Sequence, residues 1–271
     1  MTDHHTRPPD LVALLDLATR SARAAGAELM RRYGHVQGLG TKSSATDPVS
    51  DADRASEALL ARMLRAERPD DGLLGEEGTS VTGRSGITWV VDPLDGTVNY
   101  LYGLGNFAVS VAGRDGAGSL VGAVYDPVTD KMFSAARGGG AHCDGRPLRV
   151  NDPVPMDRAL LATGFGYAAA RRAAQGSMIA ELLPRVRDIR RFGSAALDLC
   201  AVASGTVDGY LEEGVQAWDI AAGALIAAEA GAVVTTATPT GAESGVLAAG
   251  PALQHALAGW VDEWAARRSP R

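Results

Sequence analysis

Apolar residues near the start of the chain recur with a helical period. Between residues 10 and 33 they mark one face, with Asp10 placed to cap the start and Gly34 after the end. Residues 50–68, stopped by Pro69, read as a second helix. We therefore expect two helices before the first strand of the fold.

The rest of the chain shows strand patterns separated by turn residues, and later strands that alternate with helices. Strands are predicted at residues 87–91, 107–112, 120–125, 131–135, 159–163, 186–192, 207–211 and 246–249. Helices are predicted at residues 168–183, 194–203, 218–230 and 251–267. This order indicates layered α and β structure.

Length bounds the domain organisation. A chain of 271 residues fits one large domain or two closely fused halves, and it can bury a sizeable core. We expect a disordered tail at residues 1–9, followed by a single domain over residues 10–271 with halves of about 10–150 and 151–271.

Charge and cysteine use narrow the classes of function. The net charge of −6 gives no electrostatic reason to expect binding to nucleic acid or an anionic membrane. Two cysteines, Cys143 and Cys200, lie far apart, which argues against a disulfide framework and favours a cytoplasmic location. The polar start lacks the apolar stretch of a signal peptide, and no apolar run approaches the roughly 20 residues that span a bilayer.

The densest chemical signal is a pair of carboxylates, Asp92 and Asp95, at the end of an apolar strand. Pro93 stiffens the turn between them, and Gly96 lets backbone approach a ligand closely. If a helix begins after Asp95, the amides of Gly96 and Thr97 form a phosphate site, beside which both aspartates can hold hard cations. Taken alone, however, an Asp-Gly pair after a strand favours a plain turn.

The longer string over residues 89–97, Trp-Val-Val-Asp-Pro-Leu-Asp-Gly-Thr, resembles the signature of the inositol monophosphatase family. Residues 41–53, 75–78, 191–197 and 218–223 are similar to further motifs of that family. The resemblance covers nearly the whole chain and is closest in detail to the bacterial inositol-1-monophosphatase branch. It implies an α/β layered (α+β) sandwich of the sugar-phosphatase type, with alternating α and β layers.

Carried over residue by residue, the resemblance implies a complete active site. The metal ligands would be Glu76, Asp92, the carbonyl of Leu94, Asp95 and Asp219. The catalytic residues would be Asp53, Thr97 and Glu76, with Thr97 and Asp53 positioning and activating the water. The substrate contacts would be Asp95, Gly96, Thr97, Gly193, Ser194, Ala195, Glu212 and Asp219.

The implied cofactor is Mg²⁺, two to three ions per site, with Mn²⁺ as an alternative and with sensitivity to lithium. Four carboxylates and a phosphate dianion carry six negative charges, which three magnesium ions would neutralise. The implied partners are a small phosphomonoester and a second copy of the chain in a homodimer. Direct nucleic-acid binding and membrane association are not expected.

The expected function is magnesium-dependent hydrolysis of a small phosphomonoester, foremost inositol 1-phosphate to inositol and phosphate, by metal-activated water. One alternative is a phosphatase of the same fold acting on histidinol phosphate or another sugar or nucleotide phosphate, which Glu213 beside Glu212 keeps open. Another is a non-catalytic protein that uses the fold to bind a macromolecular partner.

Several residues keep a second interpretation. The spacing of Ser50 and Asp53 is that of a helix capping box, which needs no catalytic role. Lys42 lies in a loop that resembles the family's active-site loop, yet a solvated lysine fits equally well. Arg190 and Arg191 could bind phosphate, but they flank a short strand, where arginines are more often surface charges or residues of a subunit interface.

Overall fold

The computed structural model of the protein describes residues 9–35, 40–41 and 48–268, apart from the side chains of residues 41, 48 and 49. All of the predicted tail except Pro9 lies outside the described residues, and so does Lys42. Within the described part of the chain, no helix is long and apolar enough to cross a membrane.

Apart from the short α3, the helices of the described residues begin and end close to the sequence patterns that predicted them. They are α1 Leu11–Arg32, α2 Asp51–Glu67, α3 Thr97–Leu101, α4 Ala169–Leu182, α5 Ala195–Ala203, α6 Ala217–Glu229 and α7 Pro251–Ala266. Short 3₁₀ turns at Met156–Arg158 and Leu183–Arg185 accompany them. The Asp10 side chain caps α1 by accepting from the amides of Val12 and Ala13.

Two large sheets carry most of the strands, and a short ribbon pairs β1 Gly40–Thr41 with β2 Pro48–Val49. The eight-stranded sheet has the order β10-β9-β8-β7-β6-β5-β3-β4 and is antiparallel except for the β3–β5 pair. Its strands are β3 Gly72–Gly75, β4 Ser80–Val81, β5 Thr88–Asp95, β6 Ala108–Asp115, β7 Gly118–Asp126, β8 Lys131–Ala136, β9 Ala141–Cys143 and β10 Arg146–Pro147.

The five-stranded sheet is formed by the later part of the chain, in the order β12-β11-β13-β15-β14. Its first three strands are parallel and the last two pair antiparallel. The strands are β11 Leu160–Thr163, β12 Asp188–Arg190, β13 Gly209–Glu213, β14 Val233–Thr235 and β15 Gly245–Ala249.

Helices and sheets alternate in five layers. The outer helices α1 and α2 pack on one face of the eight-stranded sheet, and α6 packs on its other face beside α5. The five-stranded sheet follows α5, and α4 and α7 cover its far side. This confirms the expected α/β layered sandwich with alternating α and β layers.

Strand β5 shows why its sequence is an unbroken apolar run. Trp89 and Val91 belong to the core beneath α1 and α2, whereas Val90 belongs to the core around α5 and α6. A strand buried on both faces needs apolar residues at every position and loses the polar alternation of a surface strand. The strand that carries the carboxylate pair is thus held from both sides.

The sequence patterns missed the shortest strands and overestimated one. The missed strands have two to four residues each, too few for an alternating pattern to show, and they are β1, β2, β3, β4, β9, β10 and β14. The strand predicted at residues 186–192 contains only Asp188–Arg190, because residues 186–187 form a bend after the 3₁₀ turn and residues 191–192 belong to the connection that leads to α5.

Close packing of α6 on the eight-stranded sheet generates a testable prediction. A Cβ atom at Gly122 in β7 would lie 2.9 Å from the Ala222 carbonyl oxygen of α6, whereas one at Gly176 in α4 would meet nothing within 4 Å. We expect Gly122→Ala to destabilise the protein by about 1–3 kcal/mol through overpacking. We expect the matched Gly176→Ala to stabilise it by about 0.5–1 kcal/mol through helix propensity. Urea unfolding measures both, and effects of the same sign would contradict the packing.

Candidate active site

A β-bulge at the end of β5 brings the two aspartates of the signature together. Asp92 lies opposite Ser110 and Asp95 opposite Ala108, so β5 contains one extra residue between them. In a regular strand, residues three apart face opposite sides of the sheet, and the extra residue reverses that relation. Pro93 fits at this position because a bulge interrupts the hydrogen bonds between the strands, and proline has no amide N–H to donate to them. The Leu94 amide donates to Asp92 Oδ1 at 3.0 Å.

The turn after the bulge requires glycine. Gly96 has φ +95°, and a Cβ there would lie 2.9 Å from the Asn106 carbonyl oxygen. Other residues rarely adopt this backbone conformation, and the space excludes a side chain. Helix α3 then begins at Thr97, as the phosphate-site interpretation required.

One cavity of about 520 Å³ is lined by residues of both sheets and collects most of the predicted site residues. Four acidic side chains reach it from separate elements: Glu76 from the β3–β4 turn, Asp92 and Asp95 from β5, and Asp219 from the first turn of α6. The remaining predicted residues that line it are Leu94, Gly96, Thr97, Gly193, Ala195 and Glu212. Asp53 and Ser194 do not line it and lie behind residues that do.

Asp95 is tied to the start of α5. Its Oδ2 atom accepts from the Ser194 hydroxyl at 2.6 Å and from the Ala196 amide at 2.7 Å. Ser194 is 1% exposed and also caps α5, so it supports Asp95 from behind the cavity. The Ser194 hydroxyl therefore cannot contact a substrate directly in this arrangement.

Burial and repulsion from neighbouring carboxylates raise the pKa of three acids of the cluster, Asp92, Asp95 and Asp219. Burial raises the pKa of Asp92 and of Asp219 well above the usual range, and repulsion from Glu76 and Asp95 raises both further. Burial also raises the pKa of Asp95 to about 6, although the Ser194 hydroxyl and the Ala196 amide hold it down. The cluster thus resists carrying its full negative charge unless positive charge is supplied.

The donor set fits a hard divalent cation, which prefers carboxylate and carbonyl oxygens. Within the described residues, no three acidic, histidine or cysteine side chains already enclose one point as a finished cation cage. Two of the acids are partly engaged by protein donors, since Asp219 Oδ2 accepts from the Gln216 amide at 2.6 Å and Asp95 from α5. The case for a cation site therefore rests on the type of ligand atoms present, which are carboxylate and carbonyl oxygens, and on their position around one cavity.

Thr97 and Asp53 form a pair at the edge of the cluster. The Thr97 hydroxyl lies 3.1 Å from Asp53 Oδ1 and 3.1 Å from the Leu94 carbonyl oxygen. Asp53 is fully buried, and its Oδ2 accepts from the amide and the hydroxyl of Ser50. Both interpretations of Asp53 hold together, because one oxygen completes the capping box and the other faces Thr97.

Glu212, near the end of β13, is a further acid that lines the cavity. It accepts from the Tyr210 hydroxyl at 2.7 Å, and burial raises its pKa to about 7 against the lowering effects of that bond and of Arg191. Arg191 lines the cavity, whereas Arg190 makes a surface ion pair with Asp188. The carboxylate of Glu213 is occupied by the amide and hydroxyl of Thr240, which weakens its case as a contact for a cationic substrate.

The model of the inositol monophosphatase family matches residues 10–264. The chain belongs to the inositol monophosphatase family. It is 44% identical to inositol-1-monophosphatase SuhB of Mycobacterium tuberculosis, over 93% of this chain and 94% of that protein. It is 44% identical to the protein named Nus factor SuhB of Pasteurella multocida, over 82% of this chain and 84% of that one.

Comparison with a solved structure gives the same fold. The extragenic suppressor protein suhB of Bartonella henselae superposes with a TM-score of 0.85 and 35% identity, covering 93% of this chain and 99% of that chain. As a member of the inositol monophosphatase family, the protein is a phosphatase, and its family uses divalent metal ions.

The motifs did not reveal two buried acids near the site. Glu57 in α2 accepts from the amides of Glu77 and Thr79, and its only sequence signal is its position one helical turn after Asp53. Asp198 in α5 is 1% exposed, neither of its oxygens has a hydrogen-bond partner among the described residues, and burial raises its pKa to about 9. Nothing in the sequence distinguishes Asp198 from a surface acid of a helix.

The shifted acids predict how magnesium stabilises the protein at different pH. Because the folded pKa of Asp95 is about 6 and its reference value is 3.8, its contribution to metal-free stability is full below pH 3.8 and is lost as pH rises through 6. Asp92 and Asp219 shift in the same direction. We therefore expect millimolar Mg²⁺ to raise the Tm more at pH 8 than at pH 5, where protons compete with the cation.

Differential scanning fluorimetry measures this difference, with NaCl of equal ionic strength as the control. Equal shifts at the two pH values, or a shift that NaCl reproduces, would contradict the assigned cation site.

Proposed function

We propose that the protein hydrolyses a small phosphomonoester with Mg²⁺ as cofactor, and that inositol 1-phosphate is its first candidate substrate. The observation that carries this proposal is the convergence of Glu76, Asp92, Asp95 and Asp219 on one cavity beside the Thr97–Asp53 pair. A buried acidic cluster of this kind costs stability without a cation, which argues for a functional reason to keep it.

The acids of the cluster and the Leu94 carbonyl are the residues that would hold two to three ions. When bound, the cations would stabilise the charge of the phosphoryl group and acidify a nearby water. The four acidic side chains come from three elements that only the folded chain brings together. The proposed site is therefore a property of the tertiary structure.

Thr97 and Asp53 are proposed to handle the proton of the attacking water. The Thr97 hydroxyl accepts a hydrogen bond from the water at Oγ1 while its own proton points to Asp53 Oδ1, 3.1 Å away. Asp53 keeps this orientation because its other oxygen is fixed by Ser50. Such an arrangement orients the nucleophile before reaction, which saves the cost of ordering it at the transition state.

Substrate binding is proposed to use the turn residues after β5, the residues at the start of α5, and Glu212 of β13. Gly96 and Thr97 would meet the phosphate, while Gly193 and Ala195 border the space beyond it. Glu212 can accept a hydrogen bond from a ring hydroxyl, and its negative form repels a second phosphate. A polyol monophosphate fits this cavity better than a bisphosphate does, because Glu212 can bind a hydroxyl but repels a second phosphate.

The alternatives have less support. A histidinol-phosphate enzyme would need acids free to meet an ammonium group, and Glu213 is already bonded to Thr240. The relative named as a Nus factor raises the partner-binding alternative. Glu76, Asp92, Asp95 and Asp219 line the cavity and Asp53 bonds to Thr97 behind it, which supports catalysis as a function of this protein.

Family membership supports the remaining proposals. We propose that lithium inhibits the enzyme, that Mn²⁺ can replace Mg²⁺, that the protein is a cytoplasmic homodimer, and that residues 10–271 act as one domain after a short tail.

Phosphate release from a substrate panel tests the proposed function. The panel is inositol 1-phosphate, histidinol phosphate, fructose 1,6-bisphosphate and adenosine 3′,5′-bisphosphate, each with Mg²⁺ or with chelator. We expect turnover that requires Mg²⁺ and is greatest on inositol 1-phosphate. Faster turnover of another member would overturn the substrate assignment, and turnover that survives chelation would overturn the metal mechanism.

The Asp53→Asn substitution tests the proton role. We expect kcat to fall by more than about tenfold, or roughly 1.4 kcal/mol of barrier, because the amide cannot take the proton that Thr97 passes on. Asp51→Asn is the matched control, since Asp51 lies two residues away and its carboxylate pairs with Arg32. A similar loss of kcat in both variants would point to damage at the start of α2 and contradict the catalytic role.

A further inference from the structure

One face of α2 contacts three separate segments of the candidate site. Asp53 accepts from the Thr97 hydroxyl, and the Ser56 hydroxyl donates to the Pro93 carbonyl oxygen at 2.8 Å. One residue further, Glu57 contacts the β3–β4 turn. All three α2 residues are buried, so these bonds form away from competing water.

Glu57 makes the least expected of these contacts. Glu57 is only 4% exposed, and both of its carboxylate oxygens accept hydrogen bonds from backbone amides. Oε2 accepts from the Glu77 amide at 2.7 Å and Oε1 from the Thr79 amide at 3.0 Å. Bonds from amides to a charged acceptor are stronger than neutral ones, so the pair fixes the turn firmly.

The turn is shaped to receive this carboxylate. A Cβ atom at Gly75 would lie 2.4 Å from Glu57 Oε2, so only glycine leaves room for it. The Gly75 amide also donates to the Thr79 carbonyl oxygen at 2.7 Å, which closes the turn on itself. The carboxylate therefore occupies the space that a side chain would fill at the base of the turn.

Glu76 lies between these anchors. Its own amide donates to the Val91 carbonyl oxygen of β5 at 3.3 Å, and the next amide donates to Glu57. The backbone on either side of the proposed ligand is thus fixed to β5 and to α2. A turn that only needed to satisfy its amides could use water, because Glu77 and Thr79 are both partly exposed.

We propose that Glu57 is a positioning residue for the cation site: its carboxylate holds the β3–β4 turn so that Glu76 projects into the cavity with Asp92. Through Glu57, Ser56 and Asp53, the single helix α2 sets the relative positions of Glu76, the β5 bulge and Thr97. This inference rests on the proposed role of Glu76 as a metal ligand. It adds a residue that touches neither cation nor substrate.

The test is Mn²⁺ binding, followed by electron paramagnetic resonance of the free ion, for the full chain and for Glu57→Gln. The glutamine keeps the size of the side chain but turns an NH₂ group toward one of the two amides. We expect the Kd for Mn²⁺ to rise about tenfold, as for other residues that orient metal ligands. At saturating Mg²⁺ we expect kcat to stay within about threefold of the parent value.

Two further variants act as controls. Glu67→Gln removes an exposed glutamate of the same helix that pairs with Arg20, and it should leave the Kd unchanged. Gly75→Ala displaces the Glu57 carboxylate from the side of the turn, and it should raise the Kd as Glu57→Gln does. Gly75→Ala also keeps the test available if Glu57→Gln does not fold.

The outcomes separate this inference from the proposed function. A lower Tm without metal and an unchanged Kd in Glu57→Gln and Gly75→Ala would show a merely structural role and overturn the inference. If Glu76→Gln weakens Mn²⁺ binding while those two variants do not, only the inference fails. If Glu76→Gln itself leaves the Kd unchanged, the proposed function fails with it.

Discussion

The repulsion among carboxylates gathered at the end of β5 is the constraint on which this structure depends. Burial raises the pKa of Asp92 and of Asp219, and Coulomb repulsion from Glu76 and Asp95 raises the pKa of both further. A flexible frame would let such groups move apart into water. Holding them together therefore requires a rigid surrounding, and the layered packing of two sheets and three helix layers supplies it.

Helix starts are the device that offsets part of this repulsion. Asp53 and Asp219 are in the first turns of α2 and α6, where each accepts the backbone amide that precedes its helix. Asp95 accepts amides from the first turn of α5. The N-terminal ends of helices carry partial positive charge, so Asp95 and Asp219 of the cluster, and Asp53 behind it, lie where the backbone favours negative charge. A bound cation would have to neutralise only the negative charge that the helix starts leave uncompensated.

The sequence predicted the parts of this arrangement that leave long or specific patterns. The amphipathic face of α1, the apolar run of β5 and the signature around Asp92 and Asp95 all have the expected structures. The bulge between Asp92 and Asp95 could not be predicted, because it depends on the register against β6. Strand β3, which leads to Glu76, is too short for a pattern, and Glu57 acquires its role only when α2 packs against that turn. The contacts that align the site are long-range, and a single sequence does not show them.

Anomalous diffraction from crystals soaked in Mn²⁺ tests the central claim most directly, because it locates the ions without relying on activity. The account predicts two to three peaks among the oxygens of Glu76, Asp92, Asp95 and Asp219, within coordination distance of those oxygens. Peaks elsewhere on the protein, with none between these four carboxylates, would contradict it.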